Sequence, residues 1–168
     1  MSEPPANYFA AHAKFQRQQQ AARRRQYAAR SLTASESQEQ RALIEIVRAH
    51  ANHERYGVIN DYLIAIPNGA YTQRYQNPET GEWYSPNAQK LLAEGLAPGF
   101  PDLFLYLPAG EFHGLAIEMK SATGRLAKRQ HIWQLRLTEA GYGYQLCRSA
   151  DEAWDALVRY INGRFANE

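Results

Sequence analysis

The stretch GFPDLFLYLPAGEFHGLAIEMK, residues 99–120, decides how the chain is read. PDLFLYL and GLAIEMK each alternate in side-chain character, and the Pro-Ala-Gly segment between them is a turn, so the pair reads as a hairpin. Alternation puts Leu115, Ile117 and Met119 on one face of the second strand and Ala116, Glu118 and Lys120 on the other. Asp102 opens the first strand, on the face opposite Leu103, Leu105 and Leu107. Antiparallel pairing sets the start of one strand against the end of the other, so Asp102 meets Glu118 and Lys120 across the sheet. Three charges at one end of a small apolar sheet are either a solvated edge or a site.

The flanking helices favour a site. Upstream, SESQEQRALIEIVRAH places Leu43, Ile44, Ile46 and Val47 on one side of a helix. At 100° per residue Glu36 projects near the middle of that arc with Gln40 beside it, while Glu39 lies off to one side. Helix phase therefore selects Glu36 over Glu39 as the carboxylate that joins the hairpin. A first-turn Glu is otherwise favoured simply by the helix dipole. Downstream, a helix of about fifteen residues follows Thr123-Gly124, with a core stripe of Leu126, Trp133, Leu137 and Ala140 and with Gln130 inside it. A core-facing amide needs partners, so Gln130 braces backbone or serves a site.

The remaining elements complete the order. YGVINDYLIAIPNG, residues 56–69, reads as a strand ending in a Pro-Asn-Gly turn. Residues 70–84 form a long excursion in which Tyr71, Tyr75, Trp83 and Tyr84 alternate with polar groups and Arg74, a pattern suited to gripping nucleic acid. Ser85-Pro86 opens a short helix closed by Gly95. YGYQLCR is a further strand, and Ser149-Ala-Asp-Glu152 is a capping box for a last helix with Ala153, Trp154, Leu157, Val158 and Ile161 inward. A helix between the third and fourth strands makes a crossover, so these two are parallel in a mixed sheet. The expected division is a helical arm over 1–34, a core domain over 35–163 and a tail over 164–168.

Two or three converging carboxylates repel one another unless a cation lies between them. Hard oxygen ligands suit Mg²⁺ or Mn²⁺. Such an ion activates water and neutralises charge on a phosphate, and Lys120 beside it can orient the water or stabilise the developing charge. The pattern fits metal-assisted phosphodiester hydrolysis. A lone Glu-x-Lys is otherwise a solvated pair worth ~0–1 kcal/mol. Its coincidence with Asp102, an inward Glu and a Gln-bearing helix gives the pattern its weight.

These residues resemble the VRR-NUC family of the PD-(D/E)XK nuclease superfamily over about residues 35–162. The matching pieces are SESQEQ with Glu36 and Gln40, PNG at 67–69, EG–PG–PDL at 94–103 and E-M-K at 118–120. Gln130, the Gly-Tyr before the fourth strand and the DEA of the last helix complete the set. The resemblance implies an α/β fold, a restriction-endonuclease-like αβββαβ core that uses Mg²⁺ or Mn²⁺. It gives metal-ligand roles to Asp102, Glu118 and the Met119 carbonyl, with Glu36 a further candidate ligand. Lys120 would be the catalytic lysine, and Glu36 and Gln130 supporting residues. Small members resemble phage-encoded nucleases that dimerise and cut branched DNA such as four-way junctions; the related Fanconi-associated domain acts as a monomer on flaps. The alternatives are a flap or duplex nuclease and a catalytically weak DNA-binding module. Residues 1–34 do not map onto the family.

Asn68, Arg74, Arg125, Lys128 and Arg129 are the candidate DNA contacts, being polar or cationic groups near the expected site. Ile132 and Leu135 lie off the core stripe and suggest a homodimer contact. His50 and His53 share a helix face but have no third ligand near them, and Cys147 reads as a small core residue. Composition agrees with a soluble globular chain: 168 residues, 45% hydrophobic and 21% charged, with net charge +2. One cysteine excludes an internal disulfide and a Cys-rich zinc site. No run approaches the ~20 apolar residues of a membrane span. With no apolar leader at the N-terminus, the expectation is an intracellular, reducing compartment such as the cytoplasm of a bacterial or phage-infected cell. Lys14, Arg17, Arg23, Arg24, Arg25 and Arg30 against Glu3 alone make the arm suited to a polyanion.

Overall fold

The computed structural model describes residues 34–67 and 75–167; the expected arm, Asn68 and Arg74 lie outside these. Helix α1 (Glu36–Ala49) starts at Ser35 with a reciprocal cap: the Ser35 hydroxyl accepts from the Gln38 amide, and the Gln38 side chain accepts from the Ser35 amide. The strand expected over 56–69 is corrected. Its first half is a short helix, α2 (Gly57–Tyr62), and among its described residues the extended part is β1 (Leu63–Ala65). Gly57 decides this locally. Its amide donates to His53 O at 2.8 Å, and a Cβ there would sit 2.4 Å from Ala51 O, so the chain tucks under the end of α1 and buries Ile59.

The excursion forms a two-stranded ribbon, β2 (Tyr75–Gln76) with β3 (Trp83–Tyr84), followed by α3 (Pro86–Ala93), which is capped by Ser85. The chain then lays down β4 (Leu103–Leu105), β5 (Leu115–Met119), α4 (Lys128–Glu139), β6 (Gly143–Cys147) and α5 (Ala150–Ile161). Sheet order is β1-β4-β5-β6. β4 pairs antiparallel with β1 and β5, with Leu103 opposite Ile117, and β5 pairs parallel with β6 across the α4 crossover. This is the restriction-endonuclease-like mixed α/β core.

Both faces of the sheet are covered, and this places the site. On one face α1 and α5 bring Leu43, Val47, Ala153 and Leu157 against Leu103, Leu105, Leu115, Ile117 and Met119. On the other, α4 brings Leu137 onto Ala116 and Tyr144, with Phe100, Phe104 and Tyr142 alongside. β5 is therefore buried at every position, including the face that carries Glu118. A strand enclosed on both sides cannot present that carboxylate as a solvated charge.

Three boundaries differ from expectation. α4 begins at Lys128 and runs 12 residues, with Ala140 exposed beyond it rather than in its stripe. At the start of α5 the Ser149 hydroxyl accepts from the Glu152 amide, but the Glu152 carboxylate takes the Arg148 amide at 2.6 Å instead of closing a capping box. Within the expected tail Phe165 is buried against Tyr160 and Phe112, while Arg164, Ala166 and Asn167 are exposed. Asn167 accepts from the Tyr144 amide and donates to Tyr142 O, and so takes the hydrogen-bonding place of a further strand beside β6. No helix among the described residues is long and apolar enough to cross a membrane.

Candidate active site

The hairpin register puts residue 102 opposite residue 118, one step beyond the Leu103–Ile117 pair. Asp102 reaches across this step, and its Oδ2 accepts from the Met119 amide at 2.9 Å. Glu118 points to the α4 face and is wholly buried. Its Oε1 accepts from the Lys120 ammonium at 2.7 Å and from the Gln130 side-chain amide. The other end of the Gln130 amide accepts from Ala127 N at 2.8 Å. Gln130 thus does both things its position allowed: it braces the N-terminus of α4 and holds the strand carboxylate.

Glu118 Oε2 is buried with no donor from the protein when both carboxyls are ionised, and the Asp102 carboxyl is close enough to share a proton with the Glu118 side chain. Desolvation pushes the Glu118 carboxyl up to about 7; the Lys120 hydrogen bond opposes this and the nearby Asp102 charge adds to it. Asp102 is raised too, chiefly by burial, against the pull of the Met119 amide and Lys120. Two adjacent carboxyl groups that are hard to ionise, one with a buried oxygen that no donor meets, are hard oxygen donors of the kind that could hold a divalent cation. Among the described residues no three His, Cys, Asp or Glu converge, so two side-chain carboxylates would share an ion with backbone or water oxygens.

Glu36 lies on the other side of the lysine. Its Oε2 is 3.8 Å from Lys120 Nζ and its Oε1 accepts from the Ser121 amide at 3.2 Å. The helix-phase reading of α1 is reversed in one respect: Glu36 is exposed and Glu39 is buried. The buried line is Glu39, Leu43 and Val47, because α1 docks on α5 with that side. Glu39 Oε2 accepts from Ala150 N at 2.8 Å and serves as the acceptor for the first amide of α5. Glu36 instead extends past the end of the sheet and comes to Lys120 from outside.

Arg125, Lys128 and Arg129 are exposed in the loop after β5 and the first turn of α4, on the same side of the sheet as Glu118. Close packing fixes that turn: Gly99, at φ +85°, has no room for a Cβ, which would lie 2.8 Å from Arg129 Cβ. His50 turns its Nδ1 to Ile46 O and packs at a tilt against Trp154, and Cys147 is in the core. Two residues of this neighbourhood are not apparent from the sequence. Tyr144 is buried on the α4 face with an unpartnered hydroxyl, raised by burial and by the Glu118 and Asp102 carboxylates. Arg148, the residue after β6, donates to carbonyls of the loop that follows Lys120. Alternation in YGYQLCR puts Tyr144 on the site face, but no local signal marks it as polar and buried.

An acidic pair and a lysine at adjacent strand ends of a mixed sheet, backed by helices on both faces, define an α/β domain of the restriction-endonuclease-like class. The chain belongs to the VRR-NUC domain family, whose model matches residues 38–151, a span that includes Asp102, Glu118, Lys120 and Gln130. Among solved structures it is similar to a VRR_NUC domain protein at TM-score 0.59 and 21% identity, over 77% of this chain and 89% of that one. Comparison with curated proteins gives no match. Family membership makes the chain a nuclease domain and implies DNA as its substrate.

Proposed function

We propose that the chain is a structure-selective endonuclease that hydrolyses DNA phosphodiester bonds with Mg²⁺ or Mn²⁺, with branched DNA such as four-way junctions as its substrate. The observation that carries the metal reading is the buried, unpartnered Glu118 Oε2 beside Asp102. Asp102, Glu118 and the Met119 carbonyl would hold the ion, which when bound supplies charge neutralisation at the phosphate and a more acidic water. Gln130 and Lys120 fix the Glu118 carboxylate by gripping its other oxygen. Lys120 lies between Glu118 and Glu36 in a nearly closed site, and from there its side chain faces the charge that develops on the phosphate. Arg125, Lys128 and Arg129 contact flanking phosphates. Selection of branched DNA rests on likeness to the small stand-alone members of the family.

A junction with two-fold symmetry suits a two-fold dimer, and exposed Ile132 and Leu135 on α4 give such a dimer an apolar contact. The test incubates the full chain with labelled four-way junction, flap, duplex and single strand in Mg²⁺, Mn²⁺ or EDTA. Junction cleavage that needs metal and disappears in Asp102→Ala and Lys120→Ala is expected. Cleavage in EDTA, or undiminished in either variant, refutes the mechanism. Equal cutting of flap and duplex refutes the junction preference, and binding without cleavage under every metal condition makes the chain a DNA-binding module. A monomer by light scattering at micromolar concentration refutes the dimer.

A further inference from the structure

We propose that Arg148 is a positioning residue for the Lys120 end of the site, acting through the turn at residues 121–124; as a statement about catalysis this rests on the nuclease reading. β5 ends where the Lys120 amide donates to Cys147 O at 2.9 Å, and the chain leaves the sheet at Ser121. Arg148 follows Cys147 on the neighbouring strand. Its Nη1 donates to Ser121 O at 2.7 Å, to Gly124 O at 2.8 Å and to Ala122 O at 3.3 Å. One guanidinium nitrogen thus gathers three carbonyls of a single turn, which a further bond from Gly124 N to Ser121 O, 3.0 Å, closes. The root of the arginine is itself tied down, since its amide donates to the Glu152 carboxylate.

With its carbonyls drawn toward Arg148, the turn presents its opposite side to the site. There the Ser121 amide donates to Glu36 Oε1. Gly124 is close enough that a Cβ would lie 3.3 Å from both Glu36 Oε1 and Lys120 Cδ. The turn is therefore the wall against which the Lys120 stem and the Glu36 carboxylate are set. It has little else to hold it: Thr123 is exposed, and Ser121, Ala122 and Gly124 are only half-buried. Removing the guanidinium leaves those carbonyls open to water, so the fold survives while the wall loosens and Lys120 loses its alignment.

The test compares wild type, Arg148→Ala and Arg148→Lys as full chains. Amide hydrogen exchange at Ser121 and Gly124, measured by NMR without metal or DNA, reads the clamp directly. Exchange there is expected to quicken in Arg148→Ala with the core strands unchanged. On junction DNA, kcat is expected to fall about a hundredfold while KM holds, the cost of a misplaced reacting group. Millimolar guanidinium should restore much of kcat to Arg148→Ala, where sodium chloride of equal ionic strength does not, and Arg148→Lys should lie between. Unchanged exchange at Ser121 and Gly124 overturns the proposal. So does a kcat loss that guanidinium leaves untouched and that follows a falling Tm. If wild type cuts no DNA while exchange responds as expected, the nuclease reading fails and the clamp stands.

Discussion

Replacing Glu118 by Gln should make the metal-free domain more stable at alkaline pH while ending its activity. The Glu118 carboxyl has no exposure, and burial pushes it from 4.5 up to about 7. A folded pKa above the unfolded one means that the folded state holds the proton more tightly. The unfolding free energy therefore falls as pH rises through the interval from 4.5 to about 7 and stays low above it. At about 1.4 kcal/mol per pKa unit, the full penalty above that interval is about 3 kcal/mol, of which about 1 kcal/mol is already present at pH 5. The amide that Glu118→Gln introduces keeps an oxygen for Lys120 and Gln130 and cannot ionise. Urea unfolding in EDTA at pH 5 and pH 8 should then show wild type losing about 2 kcal/mol relative to the variant. Saturating Mg²⁺ should remove the wild-type deficit at pH 8, since an ion that binds only the folded carboxylates stabilises by mass action, and should do nothing for the variant. Parallel pH profiles for the two proteins would refute the claim that burial outweighs the Lys120 contact at Glu118, and with it the main support for the metal site.

Asp102→Asn should keep its fold, because the amide oxygen still accepts from Met119 N, yet lose cleavage; circular dichroism melts and the junction assay read the two halves separately. Glu39→Ala should cost about 1–3 kcal/mol in urea unfolding by orphaning the buried Ala150 amide, and kcat should persist in the folded protein. Gly99→Ala should cost about 2 kcal/mol, because it forces a left-handed φ on a side chain that also meets Arg129. Replacing both Lys128 and Arg129 by Ala should weaken binding to every DNA shape alike. It should also flatten the slope of log K against log salt by about 2, roughly one unit for each phosphate that is no longer neutralised.

Much of the fold was legible because β4, β5 and α5 carry unbroken patterns. The Leu-x-Leu alternation of β4 and the Leu-x-Ile-x-Met of β5 each match a covered surface, Ala153 and Leu157 of α5 are buried as expected while Ala156 and Tyr160 join them in place of Val158, and the intervening helix forces β5 and β6 parallel. Patterns failed where one residue's steric demand outweighs them. Residues 57–62 have strand-like composition, but Gly57 must pass within van der Waals distance of Ala51 O, and the chain coils to do so. The tail was misread for a related reason. Arg164–Asn167 has no periodicity, yet a phenyl ring and a single amide suffice to cover the open side of β6.

The site was legible to the extent that strand geometry controls it, and less so where helices contribute. Asp102, Glu118 and Lys120 come together through pairing and alternation alone, which are properties of neighbouring residues in the sequence. Gln130 was legible because an amide in an apolar stripe has to find partners. Between Glu36 and Glu39 helix phase gave the wrong burial, since the phase of α1 was taken from Leu43, Ile44, Ile46 and Val47 as equals. Only Leu43 and Val47 are buried; Ile44 and Ile46 sit at the margins. Recentring the arc on that pair puts Glu39 four residues before Leu43 and on the same line. Glu36 nevertheless reaches Lys120, because at the first turn a long side chain can bend past the end of the sheet instead of into it. Burial and proximity to a site are thus separate questions at a helix terminus. A carboxylate in that position can hold a lysine while remaining in water, whereas the buried one, Glu39, is spent on the amide of another helix.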